Sequence, residues 1–123
     1  MAKVNLDTAA RLDIVCRKGD SFSLSVEFDT DVPNHADANI EWLMEVREND
    51  TTDTLTQGTF SIKRNQSNAK LLTIQNGAET MAALNSGLYV YDVQVKNTAD
   101  SPYTVKTYLY GTFEIVEDIA VTT

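Results

Sequence analysis

Residues 87–115 read GLYVYDVQVKNTADSPYTVKTYLYGTFEI, and this stretch decides the fold. Tyr89, Tyr91, Val93 and Val95 alternate with Val90, Asp92, Gln94 and Lys96, so the aromatic and β-branched set falls on one face of a pleated strand. The second half repeats the pattern. Tyr103, Val105, Leu109, Phe113 and Ile115 are expected on the core side, with Thr104, Lys106, Tyr108, Tyr110, Thr112 and Glu114 opposite. Asn97 to Pro102 are turn formers, which makes the pair an antiparallel hairpin. Gly111 interrupts the second strand and reads as a bulge or bend rather than a ligand site.

Working outward, Leu12, Ile14 and Cys16 alternate with Asp13, Val15 and Arg17 as a first strand, closed by a Lys18-Gly19-Asp20 turn. Phe22, Leu24, Val26 and Phe28 then alternate with Ser21, Ser23, Ser25 and Glu27, one face for the core and one for water. A third strand interleaves Ile40, Trp42, Met44 and Val46 with Glu41, Leu43, Glu45 and Arg47, and its tryptophan reads as the core tryptophan of a central sandwich strand. Weaker strands fall at Thr59 to Lys63 and Leu71 to Ile74. Ala78 to Leu84 is a short helical segment crossing between sheets. About seven strands and one crossover predict an all-β fold, a two-layer antiparallel β-sandwich of immunoglobulin-like or related type. Leu84, Gly87 and Tyr89 match the tyrosine corner of such sandwiches. The expected core is Phe22, Leu24, Val26, Phe28, Trp42, Met44, Tyr89, Tyr91, Val93, Leu109 and Phe113.

The 123 residues suit one domain, read as an extended N-terminal arm (1–11), the sandwich (12–116) and a C-terminal tail (117–123). Eighteen acidic against ten basic residues give a net charge of -8, which repels phosphate backbones and anionic membranes, so neither nucleic acid nor membrane is expected as a partner. No apolar run approaches a transmembrane span, and Met1 to Ala10 lacks a signal-peptide apolar region, which predicts synthesis in the cytosol. The sequons at Asn49 and Asn65 then carry little weight.

Candidate chemistry is sparse, and no catalytic residue is nominated. Cys16 is the only cysteine and reads as a small buried hydrophobe, and His35, the only histidine, as a solvated side chain in an acidic loop. Asp29, Asp31 and Asp37, or Asp50 and Asp53 with Asn49, could offer oxygen ligands to calcium, but no EF-hand spacing is present and no metal or cofactor is expected. Glycine-rich phosphate loops are absent. Tyr108 and Tyr110 are expected outward on one face, with Leu88 and Val90 on the neighbouring strand. That apolar stripe reads as a subunit contact, with a sugar-stacking platform as the alternative.

Two blocks carry a resemblance. Leu12-Asp13-Ile14 with Arg17-Lys18-Gly19-Asp20-Ser21-Phe22 and the strand Trp42 to Arg47 resembles the opening of small β-sandwich structural proteins of tailed bacteriophages. Gly87 to Gln94 with Tyr108 to Ile115 is similar to their end. Such domains occur in baseplate upper proteins, in fibre N-termini and as small virion accessory proteins. The resemblance implies a non-enzymatic module, made in the host cytoplasm and located in the virion. It would dock in multiple copies, or as a homo-oligomer, onto tail, baseplate or capsid subunits without a cofactor. Tail or baseplate adaptor is the first expectation; capsid decoration, head-fibre anchoring and a carbohydrate-binding module are the alternatives. Terminal arms at Met1 to Arg11 and Glu117 to Thr123 could add strands to neighbours.

Overall fold

A computed structural model describes residues 9–47, 60–99 and 101–117. These hold β1 (Ala10–Arg11), β2 (Ile14–Arg17), β3 (Phe22–Glu27), β4 (Ile40–Arg47), β5 (Ser61–Arg64), β6 (Leu71–Asn76), α1 (Ala78–Ala82), β7 (Gly87–Asn97) and β8 (Thr104–Val116). One sheet has the order β4-β7-β8, with β1 and β2 both parallel to the far edge of β8; the other has the order β3-β6-β5 and is antiparallel. The two pack face to face as an all-β sandwich. β3-β6-β5 facing β4-β7-β8 is the strand order of immunoglobulin-like domains.

Alternation explains each layer. Phe22 is buried while Ser23 and Ser25 are exposed, Leu72 and Ile74 of β6 have no exposed surface, and Val93, Leu109 and Phe113 close the core from the opposite sheet. Phe113 sits among Phe22, Phe60 and Tyr91, with ring centroids 5.6, 6.0 and 6.1 Å away. The crossover α1 is anchored by Met81, which is fully buried. Tyr89 closes that crossover as the corner tyrosine, its hydroxyl donating to the Asn85 carbonyl at 2.8 Å.

Of the expected core, Phe22, Met44, Tyr91, Val93, Leu109 and Phe113 are buried, whereas Leu24, Val26, Phe28, Trp42 and Tyr89 are half-buried against it. Trp42 lies on β4, the last strand of its sheet among the described residues, rather than on a central strand. Its indole N–H donates to the Pro33 carbonyl at 3.2 Å and its ring packs on Tyr108. The first strand begins earlier than the pattern indicated: Ala10 and Arg11, assigned to the arm, pair with Leu109 and Tyr110. The expected strand from Thr59 begins at Ser61, Thr59 lying outside the described residues.

Two further expectations about β8 change. The bulge is at Tyr108: Val93 pairs with Leu109 but Gln94 with Thr107, leaving Tyr108 as the extra residue. One extra residue exchanges the two faces. Val105 and Tyr103, expected in the core, are therefore 51% and 57% exposed, and Tyr108 turns inward against Phe28 and Trp42. Gly111, by contrast, is a site of close backbone approach. At φ +155° a Cβ there would sit 2.4 Å from the Leu12 carbonyl oxygen. Leu12 and Asp13 are the step between β1 and β2, and they cross over Gly111.

Gly111→Ala is expected to destabilise the domain by at least about 2 kcal/mol in urea titration, because Leu12 must withdraw from a backbone it touches. Trp42→Ala is expected to cost about 2 kcal/mol, below the range for a fully enclosed aromatic, because the ring is half exposed.

Candidate functional site

The outer face of the five-stranded sheet gathers the exposed side chains most capable of recognition. Pairing register sets them out in rows: Val15, Glu114 and Leu88; then Thr112, Val90 and Arg47; then Arg11, Tyr110, Asp92 and Glu45. Val15 and Leu88 are 66% and 63% exposed, Tyr110 is exposed at 37%, and Val90 is half-buried. Of the expected interface residues, then, Leu88, Val90 and Tyr110 share this face, and Tyr108 lies inside the sandwich edge, where Lys106 caps its ring with the ammonium 4.8 Å from the centroid. A sugar platform built on Tyr108 and Tyr110 together is not assembled, because the bulge separates them. Sequence alternation could not show this, since a one-residue slip reverses every side chain beyond it.

Between the rows lies a shallow pit of about 320 Å³ lined by Arg11, Glu45, Arg47, Val90, Asp92 and Tyr110. Arg47 pairs with Glu45, its neighbour two residues back on the same face of β4, and Arg11 pairs with Asp13 at 3.3 Å. Asp92 Oδ1 and Arg47 Nε are buried without a hydrogen-bond partner among the described residues. Burial pushes the Asp92 carboxyl above its ordinary range, the Glu45 charge adds to this, and Arg47 opposes it. Sequence reading passed over this cluster because its members come from four strands and meet only through pairing.

The groups with nucleophilic potential are placed for other work. Burial, with Asp20 nearby, pushes the Cys16 thiol up, and its Sγ–H points to the Glu114 carbonyl at 3.7 Å, an environment that keeps it a thiol. The Tyr91 phenol is pushed up to about 12, chiefly by burial and then by Asp13, and it donates to the Leu12 carbonyl at 2.5 Å. His35, expected as a solvated side chain, is half-buried. Its Nδ1 accepts the Arg64 backbone N–H at 2.9 Å, tying the loop after β3 to β5. Backbone hydrogen bonding from Thr112 holds the Asp13 carboxyl below its usual range. Among the described residues no group of three or more histidine, cysteine or acidic side chains is placed to hold a metal ion. Asp37 instead accepts the Asn39 N–H at 3.0 Å, and Asn49, Asp50 and Asp53 lie outside the described residues. No helix among the described residues is long and apolar enough to cross a membrane.

Neither a protein-family model nor a curated protein sequence matches the chain. The class that can be stated is therefore that of the fold, an all-β sandwich with immunoglobulin-like strand order.

The state of Asp92 gives a measurable consequence. Its folded-state carboxyl is raised, so the penalty of ionising it is full at neutral pH. The penalty is relieved as pH falls through the folded value and is gone below the unfolded value of about 3.9. Asp92→Asn is expected to raise the unfolding free energy at pH 7 by about 0.5 kcal/mol after solvent screening, with no gain below pH ~3.5. Denaturant titrations at the two pH values check this, and a variant equally stabilised at both would show that the charge is not the cause.

Proposed function

We propose that this chain is a non-enzymatic structural protein of a tailed-bacteriophage virion, an adaptor of the tail or baseplate that docks onto other virion subunits in multiple copies. The observation that carries the reading is the outer sheet face, where Val15, Leu88, Val90 and Tyr110 expose apolar surface in adjoining rows beside half-buried charged groups, an interface composition rather than a reactive one. The strand-and-turn resemblance of residues 12–17, 42–47, 87–94 and 108–115 to phage β-sandwich modules supplies the biological setting. Capsid decoration or head-fibre anchoring uses the same surface at another place in the particle. In each case the domain works as a rigid body whose faces and edges are the active features.

Immunogold electron microscopy with antibody against this chain, on particles of a phage whose genome encodes it, tests location. Gold at the tail or baseplate is the expected result, gold over the head assigns decoration or fibre anchoring, and particles without gold after mild disruption to expose epitopes overturn the virion reading.

A further inference from the structure

One edge of the smaller sheet is unpaired among the described residues. There β3 pairs with β6 on one side only. The Phe28 N–H donates to the Lys70 carbonyl at 2.8 Å, and antiparallel alternation then directs the main-chain groups of Phe22, Leu24 and Val26 toward β6 as well. Those of Ser23, Ser25 and Glu27 are left facing the open side. In soluble proteins such edges are blunted by lysine, proline or a bulge. β3 has none of these; its sequence is Phe22-Ser23-Leu24-Ser25-Val26-Glu27, with an unbroken register against β6. β3 carries one charge, Glu27 at its end, as β2 carries Arg17 at its end, whereas β4 carries Glu41, Glu45 and Arg47, and β5 carries Lys63 and Arg64.

The sandwich is also incompletely closed along this edge. Leu24, Val26 and Phe28 point to the core yet are only half-buried, while Leu72 and Ile74 beside them on β6 have no exposed surface. Between β2 and the first half of β3 runs an open groove of about 500 Å³, bordered by Cys16, Arg17, Phe22, Leu24 and Val116. In the immunoglobulin-like order this place belongs to a first strand paired with the second. Here β1 and β2 are committed to β8, so the place beside β3 is open among the described residues.

The chain carries a segment fitted to it. In Ala2-Lys3-Val4-Asn5-Leu6-Asp7-Thr8 the residues Ala2, Val4 and Leu6 alternate with Lys3, Asn5 and Asp7, the sequence pattern of a half-buried strand. Seven residues in extended form span about 23 Å, enough to cover a six-residue strand. Ala10 pairs with Leu109, and Phe28 packs on Tyr108, so β1 starts at the Phe28 end of β3 and runs away from it. For the same chain's segment, running along β3 would require an immediate reversal. We infer that the open edge of β3 is completed by residues 2–8 of a second copy of this chain, added as a fourth strand to the three-stranded sheet. The added strand pairs with the main-chain groups of Ser23, Ser25 and Glu27 and lays its apolar side over Leu24 and Val26.

Sedimentation velocity on the full chain over a hundredfold concentration range tests the inference, beside a variant lacking residues 2–8 and the variant Ser23→Pro. Proline at Ser23 removes an N–H that faces the open side and leaves the β3–β6 ladder intact, and Ser23→Lys serves if thermal melting shows that Ser23→Pro does not fold. The full chain is expected to self-associate with concentration and both variants to sediment as monomers. A labelled peptide of residues 2–8 is expected to bind the truncated chain and to bind at least tenfold more weakly when Ser23→Pro is added. A full chain that stays monomeric, association that survives the truncation, or a peptide that ignores the edge substitution overturns the proposal. The last two outcomes would assign the contact to the outer face or to a different protein. Particle labelling is read separately, so self-association without gold on the virion would defeat only the location.

Discussion

The fold depends on a single close approach. Gly111 has no side chain, and the Leu12 peptide lies over it at a distance that no Cβ would allow. That contact lets the chain step from β1 to β2 without leaving the edge of β8. The groups it exposes are satisfied on the spot: Tyr91 donates to the Leu12 carbonyl, the Leu12 N–H donates to the Tyr110 carbonyl at 2.9 Å, and Asp13 accepts the Thr112 N–H at 3.0 Å. Because β1 and β2 are thereby spent on the larger sheet, the smaller sheet ends at β3 among the described residues.

The bulge at Tyr108 has a comparable reach. It places Leu109, Phe113 and Ile115 in the core and, beyond it, sends Val105 and Tyr103 to the surface, where Lys96 packs its ammonium 4.3 Å above the Tyr103 ring. It also closes one end of the sandwich with a second aromatic group, Phe28, Tyr108 and Trp42, distinct from the Phe22, Phe60, Phe113 and Tyr91 cluster. On the outer face Tyr110 is set among charged groups rather than in an aromatic row.

Charge on that face is gathered around one guanidinium. Glu45 and Asp92 face one Arg47 guanidinium, and desolvation already presses the Asp92 carboxyl toward its neutral form. Cys16 and Tyr91 are pushed the same way by burial, away from the ionised states a nucleophile or base would need. The described surface offers apolar rows on one sheet and the β3 edge on the other.

The local pattern by itself determined the strands, their wet and dry faces, the helical crossover and the tyrosine corner, because alternation and turn chemistry act between residues close in sequence. It also nominated Leu88, Val90 and Tyr110, which share the outer face as their parity requires. Tertiary structure alone decided the rest. Parity cannot locate an inserted residue, so Tyr108, Tyr103 and Val105 exchanged faces unseen. Burial of a residue such as Leu24 or Trp42 depends on whether a further strand lies beside it, and His35 met Arg64 across 29 residues of chain. The pit around Asp92 and the choice of β8 over β3 as partner of the first strand come from long-range pairing. That pairing is settled by backbone fit at Gly111, a contact between residues about a hundred positions apart that no local periodicity encodes.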